Sequence, residues 1–162
     1  MRISRSEEYG LRLVLRLATH GGQLSIRELA ELEELPETTV AKVIARLRKA
    51  NLVQAERGRN GGYSLDGEAS DITVARVVAA FGTTIYGPEF CSQMTPGDGG
   101  CAHQTDCGLR PLWHGLTAVI GDFLDNITVA DVMQGSAHHP EGLPMVAGQG
   151  IRGQSFTYEG LR

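Results

Sequence analysis

Residues 36–65, which read PETTVAKVIARLRKANLVQAERGRNGGYSL, contain the most informative pattern in the chain. The first half carries apolar residues at helical spacing, namely Val40, Val43, Ile44 and Leu47. The second half predicts a β-hairpin, with strands at residues 52–55 and 63–65 on either side of a Gly-rich turn. The stretch therefore predicts a helix followed directly by a hairpin with arginines at its tip.

A shorter helix precedes this stretch in the sequence. Ser25 and Glu28 form the Ser-x-x-Glu pattern of a capping box, which marks a helix start. After a turn at residues 33–35, Pro36 suits the first turn of the next helix. A short helix, a tight turn and a longer helix form the helix-turn-helix pattern, and the hairpin after it is a wing. We predict a mainly α protein with a winged helix-turn-helix DNA-binding region over residues 1–66.

The outer face of the longer helix and the hairpin tip are polar and basic. Residues 1–62 carry 11 Lys and Arg against 8 Asp and Glu, whereas residues 63–162 carry 4 against 11. Local positive charge in an acidic protein favours contact with phosphate, although many charged runs are only solvated faces. We predict contact with double-stranded promoter DNA through hydroxyl and cationic side chains: Thr38, Thr39, Lys42, Arg46, Arg57 and Arg59.

Further helices flank the DNA-binding region. Ser4 and Glu7 form a capping box that opens a first helix, whose expected apolar stripe is Leu11, Val14, Leu15 and Ala18. Thr73 is expected to cap another helix, and Thr128 begins a short helical turn. A longer helix from Pro111 to about Asn126 has one apolar stripe: Leu112, Leu116, Val119, Ile120 and Phe123. We predict that it is a C-terminal dimerisation helix, with packing inside the chain as the alternative.

The remaining chain divides into two regions by composition. Residues 67–134 are predicted to form the dimerisation helices and a cysteine-rich loop, and the Gly-rich residues 135–162 a flexible tail. No run approaches the roughly 20 apolar residues of a membrane span, so no membrane partner is expected. The N-terminal residues lack the apolar region of a secretory signal. We expect a cytoplasmic protein, in which thiols stay reduced.

All three cysteines lie in one Gly-rich stretch, Cys91-x9-Cys101-x5-Cys107. Their odd number excludes complete pairing within one chain. Several thiols in one polar loop are typical of an iron–sulfur cluster or a metal site, which would need a fourth ligand from elsewhere. His103 could complete a Cys3His zinc site. On these residues alone zinc and iron–sulfur are about equally supported, and metal-free redox thiols are a third alternative.

Taken together, these features resemble the iron–sulfur transcription regulators typified by IscR, NsrR and RirA. The resemblance covers residues 1 to about 134, and it is carried by the Met-Arg-Ile-Ser start, the winged helix-turn-helix, the wing sequence RGRNGGY at residues 57–63 and the three-cysteine loop. It implies a homodimer that binds promoter DNA. It also implies a cluster, 2Fe-2S or 4Fe-4S, on Cys91, Cys101 and Cys107. The state of that cluster, set by redox conditions, nitric oxide or iron supply, would control DNA affinity.

The chain departs from the family pattern at two places. Nine residues separate the first two cysteines, more than is usual in the family, and Arg110 stands where the IscR branch has a histidine ligand. Arginine is a permanent cation and cannot take that role. In the NsrR branch a carboxylate on the first helix of the other subunit is the fourth ligand, and the resemblance gives this role to Glu8. His103 is the competing ligand.

Catalytic motifs are not evident in the sequence, which contains no recognisable catalytic triad, phosphate-binding loop or paired catalytic carboxylates. We therefore predict that the protein is not an enzyme. An iron–sulfur electron carrier is the less favoured alternative, because a carrier would not need a basic helix and wing.

Overall fold

Helices dominate the computed structural model, which describes residues 3–56, 58, 61–82, 101, 103 and 106–135. The elements follow in the order α1 (Arg5–His20), α2 (Ile26–Glu33), α3 (Glu37–Lys49), β1 (Val53–Glu56), β2 (Gly62–Leu65), α4 (Val74–Ala79), α5 (Arg110–Asp125) and α6 (Val129–Gln134). The predicted mainly α fold with a winged helix-turn-helix is confirmed. Residues 83–100, with most of the predicted cysteine-rich loop, and 136–162, most of the predicted tail, lie outside the described residues.

The helix ends follow the capping residues in the sequence. The Ser4 backbone N–H donates to the Glu7 carboxylate at 2.6 Å, and the Glu7 backbone N–H donates to the Ser4 hydroxyl at 3.2 Å. Gly21 ends α1 in the left-handed conformation at φ 68°, which favours glycine. Pro36 is the N-cap of α3 rather than part of its first turn, and its carbonyl accepts from the Thr39 N–H at 2.8 Å. The prediction was wrong there by one residue.

The hydrophobic core lies between α1, the helix-turn-helix and β1, and it includes Val77 of α4 and Val129 of α6. The predicted stripe of α3 is buried to 4% exposure or less. On α1 the buried apolar positions are Gly10, Leu13, Val14 and Leu17. Three residues of its predicted stripe, Leu11, Leu15 and Ala18, are only partly buried. All three still pack against the core, but two of the most buried positions of α1, Leu13 and Leu17, lie beside the predicted stripe. The prediction was wrong about the centre of this face, which depends on the contacts of α1 with α2, α3, α4, α6 and β2.

The wing is a two-stranded antiparallel sheet fastened to the helix-turn-helix. Val53 pairs with Leu65 and Glu56 with Gly62. Leu24, just before α2, exchanges two backbone hydrogen bonds with Tyr63 of β2, at 2.8 and 3.0 Å. A Cβ atom at Gly62 would lie 2.9 Å from the Leu24 carbonyl carbon, so only glycine allows this approach. These bonds fix the direction of the wing relative to α2 and α3.

The apolar residues of α5 are much less buried than those of α3. It contacts α4, but none of its 16 residues is buried. Leu112, Leu116 and Val119 are 59, 40 and 64% exposed, whereas Ile120 and Phe123 are partly buried. Backbone bonds between residues 72–74 and 127–129 tie the start of α4 to the start of α6. Over the described part of the chain, no helix is long and apolar enough to cross a membrane.

Candidate nucleic-acid interface and thiol segment

The outward face of α3 carries the side chains that the sequence singled out for DNA binding. Thr38, Lys42 and Arg46 are exposed, and Thr39 is partly buried. Because the apolar stripe of α3 is buried against the core, the helical repeat places these residues on the opposite, solvent-facing side. The predicted wing residues Arg57 and Arg59 lie outside the described residues. The structure thus places four of the six predicted DNA-binding residues, all on one helix.

The cations of α3 are free of carboxylate partners in the part of the chain that the structure describes. Within those residues, no ion pair involves Lys42, Arg46, Arg48 or Lys49. Arg48, which was not among the predicted residues, lines an open groove of about 470 Å³ between the start of α2 and the wing. Its position at the end of α3 adds a cation beside the wing. Exposed cations without an ion-pair partner can bind phosphate without first breaking an ion pair within the protein.

A buried carboxylate at the end of α2 connects this helix to α1. Glu33 is 7% exposed and accepts from the Arg12 Nε at 2.9 Å and from the Arg16 Nε at 2.6 Å. Arg12 also donates through Nη2 to the Glu33 backbone carbonyl at 2.6 Å. This cluster was not predicted from the sequence. Arg12 and Arg16 are four residues apart and therefore neighbours on the surface of α1, which could have indicated a shared partner. The helix-turn-helix is therefore fastened to α1 by polar contacts as well as by the core.

The start of α2 is stabilised by its capping box. The pKa of the Glu28 carboxyl is below its usual value, because the Ser25 backbone N–H donates to it at 2.8 Å and the Ser25 hydroxyl contributes further. The preceding residue, Arg27, has its pKa raised by a hydrogen bond and ion pair with Glu31, one turn further along α2. Both effects favour the charged forms of these side chains at neutral pH.

One cation of α3 contacts an aromatic ring outside the helix-turn-helix. The Arg46 guanidinium carbon lies over the Phe81 ring, 5.8 Å from its centroid. Phe81 follows α4 and is partly buried against the core. This places the end of α4 beside the polar outward face of α3. Nothing in the local sequence pattern predicts the contact, since the two residues are far apart in the chain.

Two of the three cysteines are described, and both are free thiols. Cys101 and Cys107 are partly buried, and the Cys107 carbonyl accepts from the Arg110 N–H at 3.2 Å at the start of α5. His103 is exposed, and Cys91 lies outside the described residues.

The predicted fourth ligand, Glu8, is exposed in the first turn of α1. Across the described ranges, no three metal-ligating side chains gather at one point. The donor set, thiolates with one carboxylate or imidazole, suits iron–sulfur or zinc.

A helix-turn-helix with an exposed basic face and an anchored wing defines a winged-helix DNA-binding protein. The chain belongs to the Rrf2 family, described as "Iron-dependent Transcriptional regulator", whose model matches residues 3–135. The resemblance to this class of regulators, inferred from the sequence, is thereby confirmed.

Curated and solved relatives agree with this membership. The chain is 32% identical over 136 residues to the HTH-type transcriptional regulator IscR of Photobacterium profundum, covering 83% of this chain and 76% of that protein. The IscR structure from T. potens superposes with a TM-score of 0.64 at 28% identity, covering 88% of this chain and 94% of that one. CymR of B. subtilis, described as the global cysteine regulator, gives 0.65 at 25% identity, covering 83% and 98%. These relatives are transcription regulators, so the prediction that the chain is not an enzyme is confirmed.

Proposed function

We propose that this regulator binds promoter DNA as a homodimer and holds an iron–sulfur cluster whose state changes its affinity for DNA. The observation that carries the proposal is the presence of three cysteines in one segment of an Rrf2-family chain, of which the two described ones are free thiols. A regulator that used only its helix-turn-helix and wing would not need them.

The DNA-binding part of the proposal rests on the exposed face of α3. Thr38, Thr39, Lys42 and Arg46 would enter the major groove, and the wing arginines Arg57 and Arg59 would contact an adjacent part of the duplex. Arginine and lysine can read guanine edges, whereas contacts with phosphate give affinity without sequence preference. The cations of α3 have no ion pairs among the described residues, which supports this role.

The homodimer is supported by the exposed apolar face of α5. Leu112, Leu116 and Val119 form one stripe on this helix, and all three are at least 40% exposed in the single chain. A contiguous apolar stripe of this kind marks an interaction surface. A second copy of α5 would cover it with a matching stripe, as in helical dimers. Two recognition helices would then meet DNA half-sites about 34–36 Å apart.

The cluster would be held by Cys91, Cys101 and Cys107 through thiolate bonds. When bound, it supplies a redox-active, gas-sensitive group that an apo-protein lacks. Glu8 is our candidate for the fourth ligand and would come from the partner subunit, since α1 of one chain would approach the cysteine segment of the other. Its exposure in the first turn of α1 leaves the carboxylate accessible. His103, also exposed, is the alternative ligand within the chain.

Metal analysis of protein purified without oxygen tests the cofactor. We expect a visible chromophore with iron and acid-labile sulfide, and its loss in each of three variants, Cys91→Ser, Cys101→Ser and Cys107→Ser. Cysteine-to-serine changes leave the side-chain size nearly unchanged, so a circular dichroism spectrum like that of the wild type serves as the folding control. Colourless protein with about one zinc ion per chain would contradict the iron–sulfur proposal in favour of the zinc alternative.

Mixed dimers test whether Glu8 acts across the subunit interface. A Glu8→Ala subunit is paired with a Cys101→Ser subunit. If ligation crosses the interface, one site keeps all its ligands and the other loses two. The mixed dimer should then hold about half the iron of the wild type, while each variant homodimer loses it. If ligation stays within one chain, both sites are damaged and no iron is recovered. Full iron content in the Glu8→Ala homodimer would remove Glu8 from the site and favour His103.

A further inference from the structure

Phe81 occupies a fixed position just beyond the end of α4. Its backbone N–H donates to the Val78 carbonyl at 3.0 Å, and the Gly82 N–H donates to the Ala79 carbonyl at 3.0 Å. Gly82 then takes φ 73°, a left-handed conformation that ends the turn. The backbone that carries the Phe81 ring is therefore held by hydrogen bonds on both sides.

One edge of the Phe81 ring is seated against α1. A Cβ atom at Gly10 would collide with Cε2 and Cζ of the ring, so the glycine provides the space that the ring occupies. Glycine inside a helix is less favourable than alanine, and a packing contact of this kind explains its presence in α1. The ring can therefore not move toward α1, and the position of its face is set by the core.

The face of the ring is directed at the recognition helix. The Arg46 guanidinium carbon lies over it at 5.8 Å from the centroid, which is within the range of a cation–π interaction. A guanidinium donates hydrogen bonds through its N–H edges, and a ring beneath it does not compete for them. Arg46 can thus be held by Phe81 and still present N–H donors to a guanine edge.

We propose that Phe81 is a positioning residue for DNA recognition, which holds the Arg46 side chain ready to contact a base. The inference rests on the proposed contact between Arg46 and DNA. A long side chain loses rotamer freedom when it binds, and a contact that restricts it beforehand lowers this cost. The affinity for a specific sequence then depends on a residue outside both the helix-turn-helix and the wing.

A double-mutant cycle tests the proposal with DNA of defined origin. The wild-type protein selects a duplex from a random-sequence pool, and a scrambled duplex of the same composition is the control. Binding is measured at one fixed salt concentration for the wild type, Phe81→Leu, Arg46→Ala and the double variant. We expect Phe81→Leu to weaken binding to the selected duplex about two- to fivefold. We also expect Phe81→Leu to leave the affinity for the scrambled duplex unchanged. In the Arg46→Ala background, Phe81→Leu should not lower the affinity for the selected duplex any further.

A second variant preserves the shape of the ring, in case leucine disturbs the core. Ring-fluorinated phenylalanine at position 81 withdraws electron density from the ring face while changing its size little. We expect affinity for the selected duplex to fall progressively with the number of fluorine atoms. A role in packing alone predicts no such trend.

The outcomes separate this inference from the proposed function. If Phe81→Leu costs the same affinity with Arg46 present and with Arg46 replaced by alanine, or if fluorination gives no trend, the positioning role is overturned while DNA binding stays intact. An Arg46→Ala variant that binds the selected duplex as well as the wild type would instead remove Arg46 from the DNA contact. The positioning role would then be wrong as well.

Discussion

Helices α3 and α5 are both amphipathic in sequence, yet their apolar faces differ in burial. The four residues of the α3 stripe are 4% exposed or less, whereas Leu112 and Val119 of α5 are 59 and 64% exposed. The face of α3 is covered by α1, α2 and β1 within the same chain. We infer from the contrast that the helix-turn-helix region is stabilised mainly by its own core, whereas α5 keeps its apolar stripe for a second subunit.

The largest effect should come from the core beneath α3. Leu47 is 0% exposed, and Leu47→Ala should lower the free energy of unfolding by about 2–5 kcal/mol, because it removes buried contacts and leaves a cavity. Leu112→Ala on α5 is the matched control. Urea denaturation followed by circular dichroism, at concentrations where the protein is monomeric, should show little change for it. Equal destabilisation by the two changes would contradict the contrast between the helices.

A smaller effect is expected at the polar attachment of α2. Glu33→Gln keeps the size of the side chain but removes the charge that Arg12 and Arg16 bind, and should cost about 1–3 kcal/mol of unfolding free energy. Thermal denaturation measures the loss. Glu31→Gln is the control, since its ion pair with Arg27 is exposed and should contribute nothing measurable. A Glu33→Gln protein as stable as the control would show that the buried carboxylate has no such role.

The oligomeric state of the protein tests the role proposed for the exposed stripe of α5. Val119→Asp places a charge in the exposed stripe of α5 and should weaken self-association at least about tenfold, because an unpaired carboxylate would have to be desolvated. Ala118→Asp, on another side of the helix, is the control. Sedimentation equilibrium should show a shift toward monomer for the first variant only. A wild-type chain that is monomeric at all accessible concentrations would refute the proposed dimer.

The smallest effect concerns pH and the capping box of α2. The pKa of Glu28 is lowered in the folded chain, so its contribution to stability is present above the unfolded pKa and is lost as pH falls through the folded pKa. The difference in unfolding free energy between the wild type and Glu28→Gln should therefore become smaller when the pH falls below the usual pKa of a glutamate side chain. Denaturation midpoints at neutral and acidic pH measure this. A difference that does not change with pH would argue against the charged cap.

Local patterns in the sequence were sufficient to predict the helices and the wing. The two serine capping boxes and the α3 stripe each depend on residues close together in the chain, and each is present in the structure. The buried face of α1 and the Glu33 contacts were not predicted, because both depend on which elements pack together. The same holds for the contact of Phe81 with Arg46. A ligand supplied by another subunit, as proposed for Glu8, cannot be recognised from a local sequence pattern, because it depends on how two chains pack together.

Control of DNA binding by the proposed cluster is tested by the DNA affinity of one anaerobic preparation, measured before and after removal of its iron. Affinity for a duplex selected by the wild-type protein, at constant salt, should change by about fivefold or more, in the range of typical allosteric coupling. The Cys107→Ser variant, treated in the same way, should show a single affinity throughout. Equal affinity of the iron-containing and iron-free wild type would contradict the claim that the cysteine segment controls the recognition helices.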